Sequence, residues 1–142
     1  MILNPAPCTG PLPLNWYGAI DYLIPNESEA QALTGLPVTD LASAEAAASH
    51  LRSLGVKNVI VTLGAQGALF ANAQGFKHFP APVVQPVDTT AAGDTFVGGF
   101  AAALARGVEE GEAIAFGQRA AALSVTRAGA QPSIPYLAEL QP

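Results

Sequence analysis

The sequence has few of the features that membrane proteins and nucleic-acid binders require. Only 12% of its 142 residues are charged, and its net charge of −5 includes no basic patch that would attract nucleic acid. No apolar run approaches the roughly 20 residues that a membrane-spanning helix needs. The N-terminus lacks a basic segment followed by an apolar stretch, so it does not resemble a signal peptide. We therefore expect a cytoplasmic protein that binds neither nucleic acid nor a membrane.

Residue types that commonly hold metals are also scarce. The single Cys8 cannot form an internal disulfide, and a lone cysteine is more often inert than catalytic. His50 and His78 lack the spacing of a metal-ligand pair, so we interpret both as surface or packing residues. Because the overall charge is negative, an anionic substrate would need a local binding device such as the start of a helix.

Half of the residues are hydrophobic, and their spacing predicts an α/β fold of one domain. We predict strands at 2–4, 22–24 and 57–64, followed by a short antiparallel pair within 67–82 that turns at 73–75. Helices are predicted from a cap at Asn26 or Ser28 to Gly35, then at 41–54, 95–106 and 110–125, with a short last helix. The alternation of strands and helices favours a mainly parallel sheet with helices on both faces.

The segment VDTTAAGDTFVGGF, residues 87–100, carries the clearest chemical pattern. If AAGD begins a helix, its free N–H groups form an anion site, and the small side chains let a ligand approach them closely. Asp94 would then stand beside the bound anion, where a carboxylate can act as a base toward a hydroxyl. The alternative is an aspartate favoured in a first helical turn by the helix dipole alone.

Two further segments have both a functional and a purely structural interpretation. VTLGAQG, residues 61–67, ends a buried strand in a glycine-containing turn, which is either a ligand loop or a simple hairpin connection. NESE, residues 26–29, places an amide and a carboxylate three positions apart at a helix start, which also suits an ordinary capping box.

Taken in this order and spacing, the three segments resemble the ribokinases, within the wider family of carbohydrate kinases that includes fructokinases and adenosine kinases. DTTAAGDTF resembles the second signature of that family, and NPAP and TRAGAQPSIP resemble ribokinases in particular. The resemblance covers essentially the whole chain. It implies a ribokinase-like three-layer α/β/α fold, of which residues 1–142 form the C-terminal, nucleotide-binding and catalytic portion.

The resemblance implies a role for each matching residue. Asp94 would be the base that contacts and activates the sugar hydroxyl, and Ala91, Ala92 and Gly93 would form the anion hole for the transferring phosphoryl group. Asn26 and Glu29 would help to place phosphate and Mg²⁺, with Glu29 acting on the metal indirectly. The residues expected to bind ATP are Asn26, Glu29, Thr62, Leu63, Gly64, Ala65, Gln66, Gly67, Gly93, Asp94 and Gln118. At the position of Gln118 the family more often has histidine or asparagine.

The same resemblance implies a site for K⁺, a cation that suits a cage of oxygen ligands. The matching residues, several of which would ligate through backbone carbonyls, are Asp88, Thr90, Ser124, Arg127, Gly129 and Ser133. A plain surface connection is the alternative for the loop at 126–133, because Gly129 and Pro132 suit an ordinary loop equally well.

The implied reaction is transfer of the ATP γ-phosphate to D-ribose, giving ribose 5-phosphate and ADP. The sugar-recognising and lid segments of the family, including its lid dimer contact, match nothing in these residues, so we expect the chain alone to bind nucleotide weakly and to be inactive. Homo-oligomerisation stays open. The alternatives are another kinase of the family, such as a fructokinase or adenosine kinase, and a non-catalytic nucleotide-binding module.

Overall fold

The computed structural model of the chain describes residues 1–141. The strands are β1 (Ile2–Leu3), β2 (Tyr22–Leu23), β3 (Asn58–Thr62), β4 (Ala68–Asn72) and β5 (Gly75–Phe79). The helices are α1 (Glu27–Thr34), α2 (Leu41–Ser53), α3 (Ala92–Ala105), α4 (Glu110–Val125) and α5 (Leu137–Leu140). The chain divides into two compact units, the first with Met1–Gly64 and Ala68–Phe79, the second with Ala65–Gly67 and the chain from Pro80 onward.

The sheet lies in the first unit and has the strand order β1-β2-β3-β4-β5. Strands β1, β2 and β3 are parallel, whereas β4 and β5 each run antiparallel to the preceding strand. The strands predicted at 2–4, 22–24 and 57–64 are confirmed, as is the antiparallel pair. Because β2 and β3 are parallel, their carboxyl ends lie at the same edge of the sheet, where ligand loops of open α/β sheets occur.

The core of the first unit is built from one face of α2 and from the sheet. Four residues at helical spacing on α2 are fully buried in it: Ala44, Ala47, Ala48 and Leu51. On β3, the β-branched Val59 and Val61 are also fully buried, as expected for a central strand. Gly35 ends α1 in the left-handed conformation with φ of 72°, which glycine adopts without steric cost and which confirms the predicted stop.

The helices of the second unit follow the sequence prediction closely. Helix α4 has the predicted bounds, whereas α3 begins at Ala92 rather than at the predicted Thr95. The earlier start confirms the hypothesis that AAGD begins the helix, and it places Gly93, a residue with low helix propensity, in the first turn. None of the helices within residues 1–141 is long and apolar enough to cross a membrane.

Helices α3 and α4 pack closely because two glycines face each other. A Cβ on Gly117 would lie 2.8 Å from the backbone oxygen of Phe96, and one on Gly99 would lie 3.1 Å from the Cα of Gly117. The rings of Phe96 and Phe100 are buried and stacked with their centroids 6.4 Å apart. The backbone of one helix therefore approaches the other at a point where no side chain fits.

Replacing Gly117 by alanine tests this packing. We expect Gly117→Ala to lower the free energy of unfolding by about 1–3 kcal/mol, because the added methyl group forces the two helices apart. Gly98→Ala is the matched control, since a Cβ at Gly98 meets nothing within 4 Å and should stabilise α3 by up to about 1 kcal/mol. Urea unfolding measures both variants, and equal midpoints for the two would contradict the packing argument.

Candidate active site

The start of α3 places Asp94 in the first turn of a helix. Ala91 is the N-cap residue and is buried, while Gly93 and Asp94 are exposed. The first-turn N–H groups of a helix lack intrahelical acceptors and carry a partial positive charge. In α3 the Ala92 N–H donates to the Thr89 carbonyl at 3.2 Å. Because Ala91, Ala92 and Gly93 have minimal side chains, an anion such as a phosphate can approach the other first-turn N–H groups with Asp94 beside it.

The start of α3 differs from the starts of the other long helices in its lack of a cap. Asn26, Asp40 and Glu109 each accept a backbone N–H bond at the start of α1, α2 and α4, respectively. Among the described residues, no side chain caps α3. A cap would occupy the N–H groups that an anion needs, so the uncapped start is compatible with ligand binding.

Asn26, Glu29 and Thr62 come together in the first unit. The Asn26 side chain accepts the Glu29 N–H at 2.8 Å, and the Glu29 carboxylate accepts the Asn26 N–H at 2.8 Å. Asn26 also forms an isolated parallel bridge beyond the end of β2 with Thr62, the last residue of β3, and the Thr62 N–H donates to the Pro25 carbonyl at 2.9 Å. The capping-box interpretation of NESE is therefore confirmed, and the box fixes an amide and a carboxylate at the carboxyl edge of the sheet.

The predicted nucleotide loop connects β3 to β4. Leu63 and Gly67 are buried, whereas Gly64, Ala65 and Gln66 are exposed. Gly64 and Gly67 have φ of 57° and 97°, values that favour glycine, so the turn requires both glycines. Because β3 and β4 are antiparallel neighbours, the loop is a hairpin connection, and the exposure of its middle residues is compatible with a ligand loop.

Asp88 is the centre of a hydrogen-bond cluster in the second unit. Its Oδ1 accepts both the N–H and the hydroxyl of Thr90, at 2.9 and 2.5 Å, and its Oδ2 accepts the Gly129 N–H at 2.9 Å. The Thr90 hydroxyl above all, then the Thr90 and Gly129 N–H groups, lowers the pKa of the Asp88 carboxyl. The Asp88 and Val87 N–H groups donate in turn to the Val125 carbonyl, at 3.1 and 2.6 Å.

The remaining residues of the predicted cation site lie in the same unit. Ser124 and Ser133 are both 1% exposed, and their hydroxyls donate to the carbonyls of Ala121 and Ala130, respectively. The Arg127 N–H donates to the Ser124 carbonyl at 3.1 Å, while its guanidinium pairs with Glu139. The structure thus links Asp88 directly to Thr90 and Gly129 and links Ser124 to Arg127. An oxygen-rich donor set of this kind fits a hard monovalent cation, and the Arg127 charge is balanced by Glu139.

The possible metal ligands and Gln118 complete the set of predicted site residues. No group of three or more His, Cys, Asp or Glu side chains within residues 1–141 could hold a metal ion. Gln118 lies on α4 and its side chain is almost fully buried, with 7% of its surface exposed.

Two features were missed by sequence reasoning. One is the Glu139 partner of Arg127. The other is the Thr95 hydroxyl, which is buried without a hydrogen-bond partner in the described part of the chain.

Comparison with known proteins identifies the family. The family model described as pfkB family carbohydrate kinase matches residues 1–137. The chain belongs to this family. A ribokinase from Staphylococcus aureus is 44% identical over 140 residues, which are 98% of this chain and 46% of the relative. The predicted resemblance to ribokinases is therefore confirmed, and the chain spans less than half of the length of this carbohydrate kinase relative.

Solved structures of carbohydrate kinases give the same result for the fold. A ribokinase structure from Thermotoga maritima has a TM-score of 0.90 and 48% identity, covering 98% of this chain and 46% of that chain. A ribokinase from Arabidopsis thaliana, complexed with ribose and ATP, has a TM-score of 0.92 and 36% identity, covering 98% and 45%. Together with the five-stranded mixed sheet, these similarities confirm the predicted ribokinase-like three-layer α/β/α fold class.

Proposed function

We propose that the chain is the nucleotide-binding and catalytic portion of an ATP-dependent kinase that phosphorylates D-ribose. The observation that carries the proposal is Asp94, exposed in the first turn of an uncapped helix, in a chain that is 44% identical to a ribokinase. A carboxylate beside an anion site suits phosphoryl transfer, which needs a base near the hydroxyl and stabilisation of charge on the phosphoryl group.

Each participant in the proposed reaction has one task. The Asp94 carboxylate accepts the proton of the ribose 5-hydroxyl as the O5–P bond forms. The bond between the γ-phosphorus and its bridging oxygen breaks, and ADP leaves with the electron pair. The backbone amides at Ala91, Ala92 and Gly93, at the start of α3, stabilise the charge on the transferring group.

The nucleotide and Mg²⁺ require the other residues of the proposed site. Asn26 and Glu29 place the phosphates and the hydrated metal, the loop from Thr62 to Gly67 holds the nucleotide, and Gln118 contributes a further contact. The capping box supports this assignment because it fixes the Asn26 and Glu29 side chains before any ligand binds. Mg²⁺ would neutralise phosphate charge, and its preference for retaining waters fits an indirect role for Glu29.

A K⁺ ion belongs to the same proposal. Asp88, Thr90, Ser124, Arg127, Gly129 and Ser133 would hold it through backbone carbonyls and hydroxyls. The Asp88 carboxylate is engaged by Thr90 and Gly129, so its role is to hold the two segments together. The ion would order the segment that leads into α3, which contains the residues of the anion site. We also place the enzyme in the cytoplasm, with ATP, ADP and sugar as its partners.

Turnover of a hybrid kinase tests the proposed reaction. The hybrid kinase is residues 1–142 joined to the part of the S. aureus ribokinase that this chain does not match. We expect the hybrid kinase to release ADP when D-ribose is present, because the joined part supplies the sugar-recognising segments and residues 1–142 supply Asp94 and the anion site. ADP release that does not depend on D-ribose would contradict the proposed reaction. A folded hybrid kinase that binds ATP without any turnover would favour a non-catalytic nucleotide-binding module.

A further inference from the structure

The loop between α4 and α5 is closed by one ion pair. The Arg127 Nη2 donates to the Glu139 Oε1 at 2.5 Å, and the Arg127 Nη1 lies 3.4 Å from the other oxygen. The two residues are 12 positions apart, and the side chains are 33% and 36% exposed. The pair therefore joins Arg127, near the start of the loop, to helix α5 beyond its end.

Glu139 makes a second bond that fixes its own position. Its Oε2 accepts the Tyr136 N–H at 2.8 Å, at the start of α5. The Arg127 guanidinium, followed by the Tyr136 N–H, lowers the pKa of the Glu139 carboxyl, so the pair stays charged at neutral pH. A planar guanidinium that pairs with both oxygens of a carboxylate has one preferred orientation, so the contact fixes the orientation of the Arg127 side chain.

The ion pair lies next to the bond that Asp88 makes with the loop. Gly129, which donates to Asp88, is two residues from Arg127, and the buried Ser133 lies on the segment that the ion pair closes. Gly129 has φ of 93°, so the backbone turns there in a conformation that only glycine adopts easily. The loop is thus held at Asp88 on one side and at Glu139 on the other.

We propose that Glu139 is a positioning residue for the cation loop, residues 126–134. By holding Arg127, it sets the backbone of Arg127 and Gly129 against Asp88, so that the cation site is arranged before the ion binds. This inference rests on the proposed K⁺ site. Glu139 does not touch the ion, and its removal weakens cation binding by loosening the loop.

The test compares four versions of the chain by hydrogen–deuterium exchange, with KCl, NaCl and choline chloride titrated at constant ionic strength. Glu139→Gln removes the charge but keeps an oxygen for the Tyr136 N–H. Glu112→Gln is the matched control, because Glu112 is exposed in the first turn of α4, about 20 Å along the helix from Arg127. The exchanged pair Arg127→Glu with Glu139→Arg restores the ion pair in reverse, although an arginine at position 139 cannot accept the Tyr136 N–H, so partial recovery is expected.

We expect K⁺ to slow exchange of the loop amides in the wild type, with little effect of choline. Glu139→Gln should raise the K⁺ midpoint about two- to fivefold, the range expected from losing a partly exposed ion pair. Glu112→Gln should leave that midpoint unchanged, and the exchanged pair should restore it at least in part.

Each contrary outcome has a distinct meaning. A normal K⁺ effect in the wild type with an unchanged midpoint in Glu139→Gln would overturn this inference alone. The inference would also be overturned if Glu112→Gln raised the K⁺ midpoint as much as Glu139→Gln does, or if the exchanged pair recovered none of the change. Either result would assign the shift in the K⁺ midpoint to a general effect of charge or stability. No K⁺ effect on the wild type would overturn both this inference and the proposed K⁺ site, while leaving the proposed kinase reaction to its own test.

Discussion

Asp94→Asn should lower the kcat of the hybrid kinase for ribose by about 10²–10⁴, the usual contribution of a general base. The substitution keeps the size of the side chain and its place in the first turn of α3, but an amide cannot accept the proton of the ribose hydroxyl. ATP affinity should change little, because the N–H groups at the helix start do not depend on the carboxylate. Steady-state ADP release and calorimetric titration with an ATP analogue measure the two quantities separately.

The control for Asp94→Asn is the same chemical change at another helix start. Asp40 caps α2 in the first unit, and asparagine caps a helix about as well as aspartate. Asp40→Asn should therefore keep nearly the full rate. If Asp94→Asn retains more than a tenth of the wild-type rate, Asp94 is not the base.

Asp88→Ala should abolish the advantage of K⁺ over other monovalent cations. The carboxylate joins Thr90 to Gly129 through three hydrogen bonds, and a hydrogen bond to a charged group contributes about 1.5–3 kcal/mol. Losing that link should weaken K⁺ binding by about tenfold or more, because each 1.4 kcal/mol is a factor of ten in affinity, so K⁺ that saturates the wild type should no longer stimulate the variant. The assay is turnover of the hybrid kinase in KCl, NaCl and choline chloride at equal ionic strength.

The cation prediction has its own internal control. Asp21→Ala removes an exposed carboxylate that pairs with Lys57 in the first unit, so it should leave the response to K⁺ unchanged. Equal wild-type rates in the three salts would eliminate the cation site. A K⁺ response that survives Asp88→Ala would show that Asp88 does not organise the site.

Local signals account for the parts of the fold that could be predicted from the sequence. Asn26 followed by Glu29 encodes a capping box, and Gly35 encodes a left-handed stop, so the bounds of α1 follow from neighbours in the chain. The β-branched residues of β3 encode a buried strand. Each of these patterns is complete within a few residues, so it can be recognised without knowledge of tertiary contacts.

The start of α3 shows where local signals are insufficient. Its N-cap is an alanine, and Gly93 lies in its first turn, so neither the capping pattern nor helix propensity marks the true start at Ala92. These departures from normal helix chemistry occur at the position where the anion site is proposed. A helix start optimised for stability would carry a cap that competes with a ligand for the same N–H groups.

The candidate site was predicted through motifs, whereas its supporting contacts depend on tertiary structure. The bond between Asp88 and Gly129 spans 41 positions, and no sequence period indicates it. Glu139 follows Arg127 by 12 positions, and a turn and a short 3-10 helix lie between them, so no continuous helix or strand relates the two residues. Such contacts need coordinates before they can be recognised.

The central proposal is that this chain supplies the base and the anion site for phosphoryl transfer to ribose, and the identity of the product formed by the hybrid kinase tests it most directly. The hybrid kinase, ATP, Mg²⁺ and ribose labelled with ¹³C at carbon 5 are followed by ³¹P NMR. We predict a new phosphate monoester coupled to the labelled carbon, formed in equal amount to ADP and absent with Asp94→Asn. Free phosphate as the only product, or an ester signal of equal size with Asp94→Asn, would contradict the account.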